Sequence, residues 1–226
     1  MKKVPIHQET LKLIACLTML IDHVGAVLIP NTGLRILGRI AFPIYCFLLV
    51  EGCSHTRSPK KYGQRLLAGV FLAELPFDFL FYGGFTWQHQ NVMLTLFIGC
   101  VMILWIRRSG KLLLPLCTCF LAAELLRADY GGLGIVLIGA FLIAASDLHT
   151  ALLKTGLIAI IFWCMGGYSV PLLNMRIPIQ MFGLLALIPI AGYSGKKLMK
   201  SRRLQWAFYL FYPVHMLLLL YARHVS

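Results

Sequence analysis

Acidic residues are scarce in this chain: 8 among 226, against 21 Lys and Arg, for a formal net charge of +13. Charged residues of either sign make up only 13%, about half the share usual in soluble domains. Such a basic surplus suits nucleic acid only when it gathers on a solvated face. Here it falls in short breaks between apolar runs, which excludes nucleic acid and points to the cytoplasmic loops of a membrane protein. The seven cysteines (Cys16, Cys46, Cys53, Cys100, Cys117, Cys119, Cys164) include no CxxC pair and no Cys/His ligand spacing. No metal site is therefore expected, and the thiols read as small buried hydrophobes. Nucleophilic-serine motifs, Walker loops, dinucleotide fingerprints and HExxH are all missing. The polar stretch 1–9 leads to no small-residue cleavage site, so no cleavable signal peptide is expected. No repeat, linker or soluble domain interrupts the chain.

What is there is apolar. Hydrophobic residues make up 59%, gathered in runs near the length of about 20 residues that a membrane helix needs. The expected fold is all-α, a single polytopic membrane bundle over residues 1–226 with about nine spans. They fall near 11–30, 34–53, 63–82, 92–106, 112–127, 133–147, 151–169, 177–193 and 204–221. Placing the N-terminus inside puts Lys2, Lys3, Lys12, Arg57, Lys60, Lys61, Arg65, Arg107, Arg108, Lys111, Lys154, Lys196, Lys197, Lys200, Arg202 and Arg203 on the cytoplasmic side. Arg35, Arg39, Arg127, Arg176 and Arg223 remain for the outer side. This asymmetry predicts an inside N-terminus and an outside C-terminus.

Polar residues at membrane depth are costly and therefore informative. Asp22 and His23 sit together in the outer half of the first span, and Lys12 opens it eleven positions before His23. Eleven residues make almost three turns, so Lys12 and His23 share one helix face about 16 Å apart along the axis. Arg35 and Arg39 lie at the outer end of the second span, before Pro43. Glu74 and Asp78 are four apart on the third, with Pro76 between them, and Asn91 follows its outer loop. Glu124, Arg127, Asp129 and Tyr130 close the fifth. Asp147, Glu9 and Glu51 are the inner acidic groups. Simple pairing between helices, Arg39 with Asp78 or Glu124 with Arg127, would account for some of these groups. Their convergence instead suggests a polar cavity lined by Arg35, Arg39, Glu124, Arg127, Asp129, Tyr130 and His215.

Within it, His23 is the candidate general base. Asp22, Glu74, Asp78 and Asn91 complete the candidate catalytic group. Helix neighbours do not face each other, so Asp22 is expected to pair with Arg35 or Arg39. Glu74, Asp78 or Asn91 is then expected to orient His23.

The runs LKLIACLTMLIDHVGAV, LRILGRIAFPIYCFLLVEG, LLAGVFLAELPFDFLFY, QNVMLTLFIG and FYLFYPVHMLLL resemble the TraX family of integral membrane proteins. That family's namesake acetylates pilin N-termini, and the family resembles acyltransferase 3 and heparan-α-glucosaminide N-acetyltransferase. In the former a basic residue, ten arbitrary residues and a histidine mark the first span, a spacing that Lys12 and His23 match. The resemblance implies a bacterial cytoplasmic-membrane acyltransferase, in contact with membrane lipid and using acetyl-CoA as acyl donor. It makes His23 the base and Lys12 a cofactor-side cation, with Arg57, Lys60, Lys61 and Arg65 as a basic rim for coenzyme A phosphates. The acceptor would be extracytoplasmic, a peptide amine or a carbohydrate hydroxyl. A proton-coupled transporter would use the same buried groups, and a scaffold protein would need none of them.

Overall fold

In a computed structural model of the chain the described residues are 5–143, 148–172, 175–197 and 201–225. Lys2, Lys3, Asp147 and Lys200 lie outside them, as do the side chains of Lys154, Arg202 and Arg203. The chain is predominantly helical and divides into two compact units: Met1–Leu48 with Gly166–Ser226, and Leu49–Met165.

The first unit begins with α1 (Gln8–Val27), which carries Glu9 in its first turn, where the helix dipole favours an anion. Pro30 follows its end, and Asn31 caps α2 (Thr32–Gly38) by accepting the Leu34 N–H at 3.2 Å. The expected second span is present but broken: α3 (Ala41–His55) starts only after Arg39 and Ile40. Pro43 explains the break, because it cannot donate to the Arg39 carbonyl four residues earlier. Leu11, Ala15, Ile44, Leu48 and Ala186 form the unit's fully buried centre. The N-terminal segment is tied down by backbone bonds Ile6 N to Gly192 O, Ser194 N to Ile6 O and Gln8 N to Lys196 O, at 2.9, 2.9 and 3.0 Å.

The unit's other half departs from expectation. The eighth expected span, 177–193, is not one helix. A hairpin of β1 (Ser169–Leu172) and β2 (Met175–Pro178), paired antiparallel, leads into a 3-10 segment Ile179–Ala186 and the short α9 (Leu187–Ala191). Pro178 and Pro189 leave too few uninterrupted residues between them for a membrane helix, whatever the hydropathy. The chain closes with α10 (Arg202–Val225). Lys12 Nζ lies 5.4 Å from the Phe208 ring centre, while His23 meets His215. The contacts follow the same order along both helices, so α1 and α10 run parallel.

The second unit takes the later half of α3 and then α4 (Pro59–Tyr82), α5 (Val92–Ser109), α6 (Leu113–Leu125), α7 (Gly131–Leu142) and α8 (Leu148–Met165). Pro59 starts α4, a position that needs no N–H. Gly83 and Gly110 end α4 and α5 with φ of 76° and 67°, a left-handed stop that glycine adopts without strain. Arg107 donates to the Cys53 carbonyl at 2.5 Å and to Ser54 Oγ at 2.6 Å, closing the last turn of α3.

Among the described residues, Gln8–Val27, Thr32–His55 and Val92–Ser109 are long and apolar enough to cross a membrane. The helices Leu113–Leu125 and Gly131–Leu142 are apolar but shorter. The cysteine reading holds for Cys16, Cys46, Cys53, Cys100 and Cys119, which are buried, whereas Cys117 and Cys164 are exposed.

Candidate functional site

Asp22 anchors the first unit's polar groups. Its Oδ2 accepts from Arg35 at 2.6 Å and its Oδ1 from Arg39. Both expected partners thus hold one carboxylate, with the two guanidinium groups one turn apart. Arg39 Nε also donates to the Arg35 carbonyl at 3.3 Å, bracing the end of α2. Gly38 makes the arrangement possible, since a Cβ there would strike the Asp22 side chain. Gly25 does the same one turn on, where a Cβ would come 2.6 Å from Leu34. Glycine on each helix lets α1 and α2 approach closely around the ion pair.

With Asp22 engaged by arginines, the adjacent His23 points elsewhere. Its Nδ1 lies 2.8 Å from His215 Nε2. The rings are 16° from coplanar with centres 4.9 Å apart, the geometry of an in-plane N–H···N bond rather than a face-to-face stack. His215 is 3% exposed, and its other nitrogen donates to the Phe211 carbonyl at 2.8 Å. Tyr212 lies beside both imidazoles, 6.4 and 5.7 Å between ring centres. Two turns before Asp22, Cys16 Sγ and Tyr45 Oη are 3.2 Å apart. The structure thus gives His23 a partner in His215, while Glu74, Asp78 and Asn91, the residues expected to orient it, belong to the second unit. His215, expected only to line the cavity, has the closer role.

The second unit holds the remaining acidic groups, and most of them meet backbone. Asp78, fully buried, accepts the Thr86 N–H at 3.1 Å. Glu124 accepts the Gly132 N–H at 2.7 Å and caps α7; among the described residues no ion pair joins it to Arg127. Asn91 is buried and fully used: it accepts from Met93 N–H at 3.0 Å as the cap of α5 and donates to the Val70 carbonyl at 3.0 Å and to Glu74. Asp129 Oδ1 takes the Tyr130 N–H at 3.1 Å and meets His89 Nε2 at 3.4 Å, while its carbonyl accepts from Thr95. The hydrogen bond that His89 donates to Asp129 raises the His89 pKa against the opposing effect of burial. Arg127 and Tyr130 adopt left-handed φ of 52° and 63°, uncommon for side chains of that size. Among the described residues, Glu74 Oε1 and Asp78 Oδ1 are buried and accept no hydrogen bond.

The basic rim divides between the units. Lys12 belongs to the first. Arg57, Lys60 and Lys61 are exposed at the start of α4 in the second, where Arg65 lies over the Tyr62 ring at 5.8 Å. Cations in a first helical turn oppose the helix dipole, so helix stability does not explain them.

Comparison with known proteins covers nearly the whole chain. The family model described as TraX protein matches residues 7–223. A protein of Dichelobacter nodosus named "Probable fimbrial assembly protein FimC, serogroup H1" is 33% identical over 237 residues, 94% of each chain. The uncharacterized protein RP591 of Rickettsia prowazekii (strain Madrid E) is 34% identical over 104 residues, 46% of this chain and 39% of its own. No solved structure matches.

Proposed function

The chain belongs to the TraX family, and from that premise we propose that it is a membrane acyltransferase moving an acyl group, acetyl in the simplest case, from cytoplasmic acyl-CoA to an extracytoplasmic acceptor. The observation that carries this reading is His23, an imidazole on the apolar α1 with its ring held in plane by a second imidazole at 2.8 Å. A ring so held is a positioned proton acceptor. As the acceptor's amine or hydroxyl attacks the thioester carbonyl, His23 takes its proton, and the same proton serves the departing thiolate. Arg35 and Arg39, two cations against one carboxylate, leave surplus positive charge where the oxyanion develops.

This reading takes the spans from the apolar runs and the inside N-terminus from the basic asymmetry. The parallel course of α1 and α10 supports opposite sides for the two chain ends. Lys12, on the face of α1 that meets α10, would bind the donor's phosphates or carbonyls, with Arg57, Lys60, Lys61 and Arg65 as further anion ligands. The similarity to a protein named as a probable fimbrial assembly protein favours a fimbrial subunit's amine as acceptor over a carbohydrate hydroxyl.

The test is release of coenzyme A from acetyl-CoA by the full chain purified in detergent, with and without a primary-amine peptide. We expect amine-dependent release in the wild type. His23→Ala and His23→Gln should both lose it while keeping the wild-type melting profile. Gln preserves polarity and approximate size but cannot serve as base. Full activity in a folded Gln variant would remove His23 from the chemistry. No turnover at all in the wild type, with proton flux in vesicles instead, would favour a transporter.

A further inference from the structure

The hydrogen bonds around His23 determine which of its nitrogens is the base. The Phe211 carbonyl can only accept. His215 Nδ1, 2.8 Å from it, must therefore carry a proton. In a neutral imidazole the other nitrogen is then a bare acceptor, so His215 Nε2 receives the bond. At 2.8 Å from it, His23 Nδ1 must be the donor. Neutral His23 is left with its lone pair on Nε2. Free imidazole side chains prefer the opposite tautomer, with Nε2 protonated, so this network reverses the intrinsic preference.

We infer that His215 is a positioning residue that, through the Phe211 carbonyl, fixes His23 in the Nδ1–H tautomer and makes Nε2 the basic nitrogen. The role is that of a group which orients a catalytic imidazole and sets its tautomer, performed here by a second histidine instead of a carboxylate. A neutral orienter suits this place, because the neighbouring carboxylate, Asp22, is already held by Arg35 and Arg39. A second anion would have to be buried, whereas an imidazole passes the constraint on without charge. The two rings sit on parallel helices, 192 residues apart in sequence, so docking of α10 against α1 would assemble the base. The catalytic half of this inference rests on the acyltransferase reading; the tautomer does not.

The experiment uses full-length protein in detergent with histidine labelled by nitrogen-15. His23 and His215 signals are assigned by loss in His23→Gln and His215→Gln, and thermal melts verify the fold of each variant. In the wild type His23 should show a protonated Nδ1 and an unprotonated, imine-type Nε2. In His215→Leu the pattern should reverse. In His215→Gln the amide oxygen still accepts from Nδ1–H, so the wild-type tautomer should persist. A wild-type spectrum with Nε2 protonated overturns the proposal, as does a folded Leu variant that keeps Nδ1–H. Should Leu fail to fold, the wild-type and Gln spectra decide the matter, Nδ1–H in both supporting it and Nε2–H in either overturning it.

Acetyl-CoA turnover gives the second readout. His215→Leu should lower kcat by about 10–100-fold, the usual cost of removing an orienting partner, with KM for acetyl-CoA unchanged. Gln should restore most of the loss. A purely structural histidine would lower the melting temperature without reversing the tautomer. A wild type with the stated tautomer but no thioester turnover would remove the acyltransferase reading and leave the histidine relay standing.

Discussion

The two units engage most of their polar residues in different ways. In the first, Asp22 is matched with Arg35 and Arg39, and His23 with His215, side chain to side chain between separate helices. In the second, Asp78, Glu124, Asp129 and Asn91 each accept a backbone N–H at a loop or helix start. Carboxylates spent on backbone donors are braces. They satisfy N–H groups that a loop or a helix start leaves without a partner of its own. Side chains paired across helices meet no such need of their own segment. Chemistry is therefore to be sought first around Asp22 and His23, although Glu74 Oε1 and Asp78 Oδ1 exceed what bracing requires.

The sharpest way to break this contrast is activity. His23→Gln should lower acyl transfer by about 10²–10⁴-fold, the usual contribution of a general base. His89→Gln, in the second unit's loop, should leave turnover at the wild-type level. Coenzyme A release by the two purified variants checks both. Equal losses would erase the functional distinction between the units.

Stability should differ next. Asp22→Asn removes the one carboxylate that two guanidinium groups share, with Arg39 only 8% exposed. Breaking a buried pair costs about 3–5 kcal/mol. Glu124→Gln keeps an oxygen for the Gly132 N–H and should cost under about 1 kcal/mol. Thermal or denaturant unfolding in detergent measures both. A mild Asp22→Asn would mean that the pair is solvated.

Glycine substitutions probe the same difference through packing. In Gly38→Ala the new methyl strikes the Asp22 carboxylate, and overpacking of this kind costs about 1–3 kcal/mol. In α4, a Cβ at Gly63 meets nothing within 4 Å. Gly63→Ala should therefore stabilise by up to about 1 kcal/mol through helix propensity. A Gly38→Ala variant that melts at or above the wild-type temperature would show that the α1–α2 contact is looser than described.

Part of this was legible in the sequence. The apolar runs located α1, α4 and α5 closely, and the rule that helix neighbours diverge pointed Asp22 to Arg35 or Arg39. Adjacent polar residues and an i,i+4 arginine pair are local signals, and local signals survive without the fold. His215 as partner of His23 was not legible, since a contact across 192 positions leaves no periodic trace. One hint existed: His215 is the single charged or imidazole-bearing residue between Arg203 and Arg223. The eighth span misled because hydropathy averages ignore Pro178 and Pro189, which break a helix without making it polar. The braces were missed for a different reason. Whether a carboxylate meets an arginine or a backbone N–H depends on loop geometry, and Asp78 and Glu124 look alike under either outcome.

The smallest effect concerns the His89–Asp129 contact, and it tests whether the second unit's polar groups act as braces. His89 and Asp129 flank backbone bonds that join their two loops, Gln90 N to Arg127 O at 2.9 Å and Asp129 N to Gln90 O at 3.0 Å. The hydrogen bond with Asp129 raises the folded-state pKa of His89 above its ordinary value of 6.5. A raised histidine stabilises the folded state fully below the unfolded pKa, where both states hold the proton. As pH rises from there the unfolded chain releases its proton first, so the stabilisation falls and is gone once the folded-state pKa is passed. Both side chains are about a third exposed, 38% and 33%, so the contribution should stay below about 1 kcal/mol. Hydrogen exchange at Gln90 and Asp129 is the measurement, corrected for the intrinsic pH dependence of exchange. Protection should decline from mildly acidic to alkaline pH in the wild type and stay flat in His89→Gln. A wild-type profile as flat as the variant's would mean that backbone bonds alone hold the loops, and that His89 braces nothing.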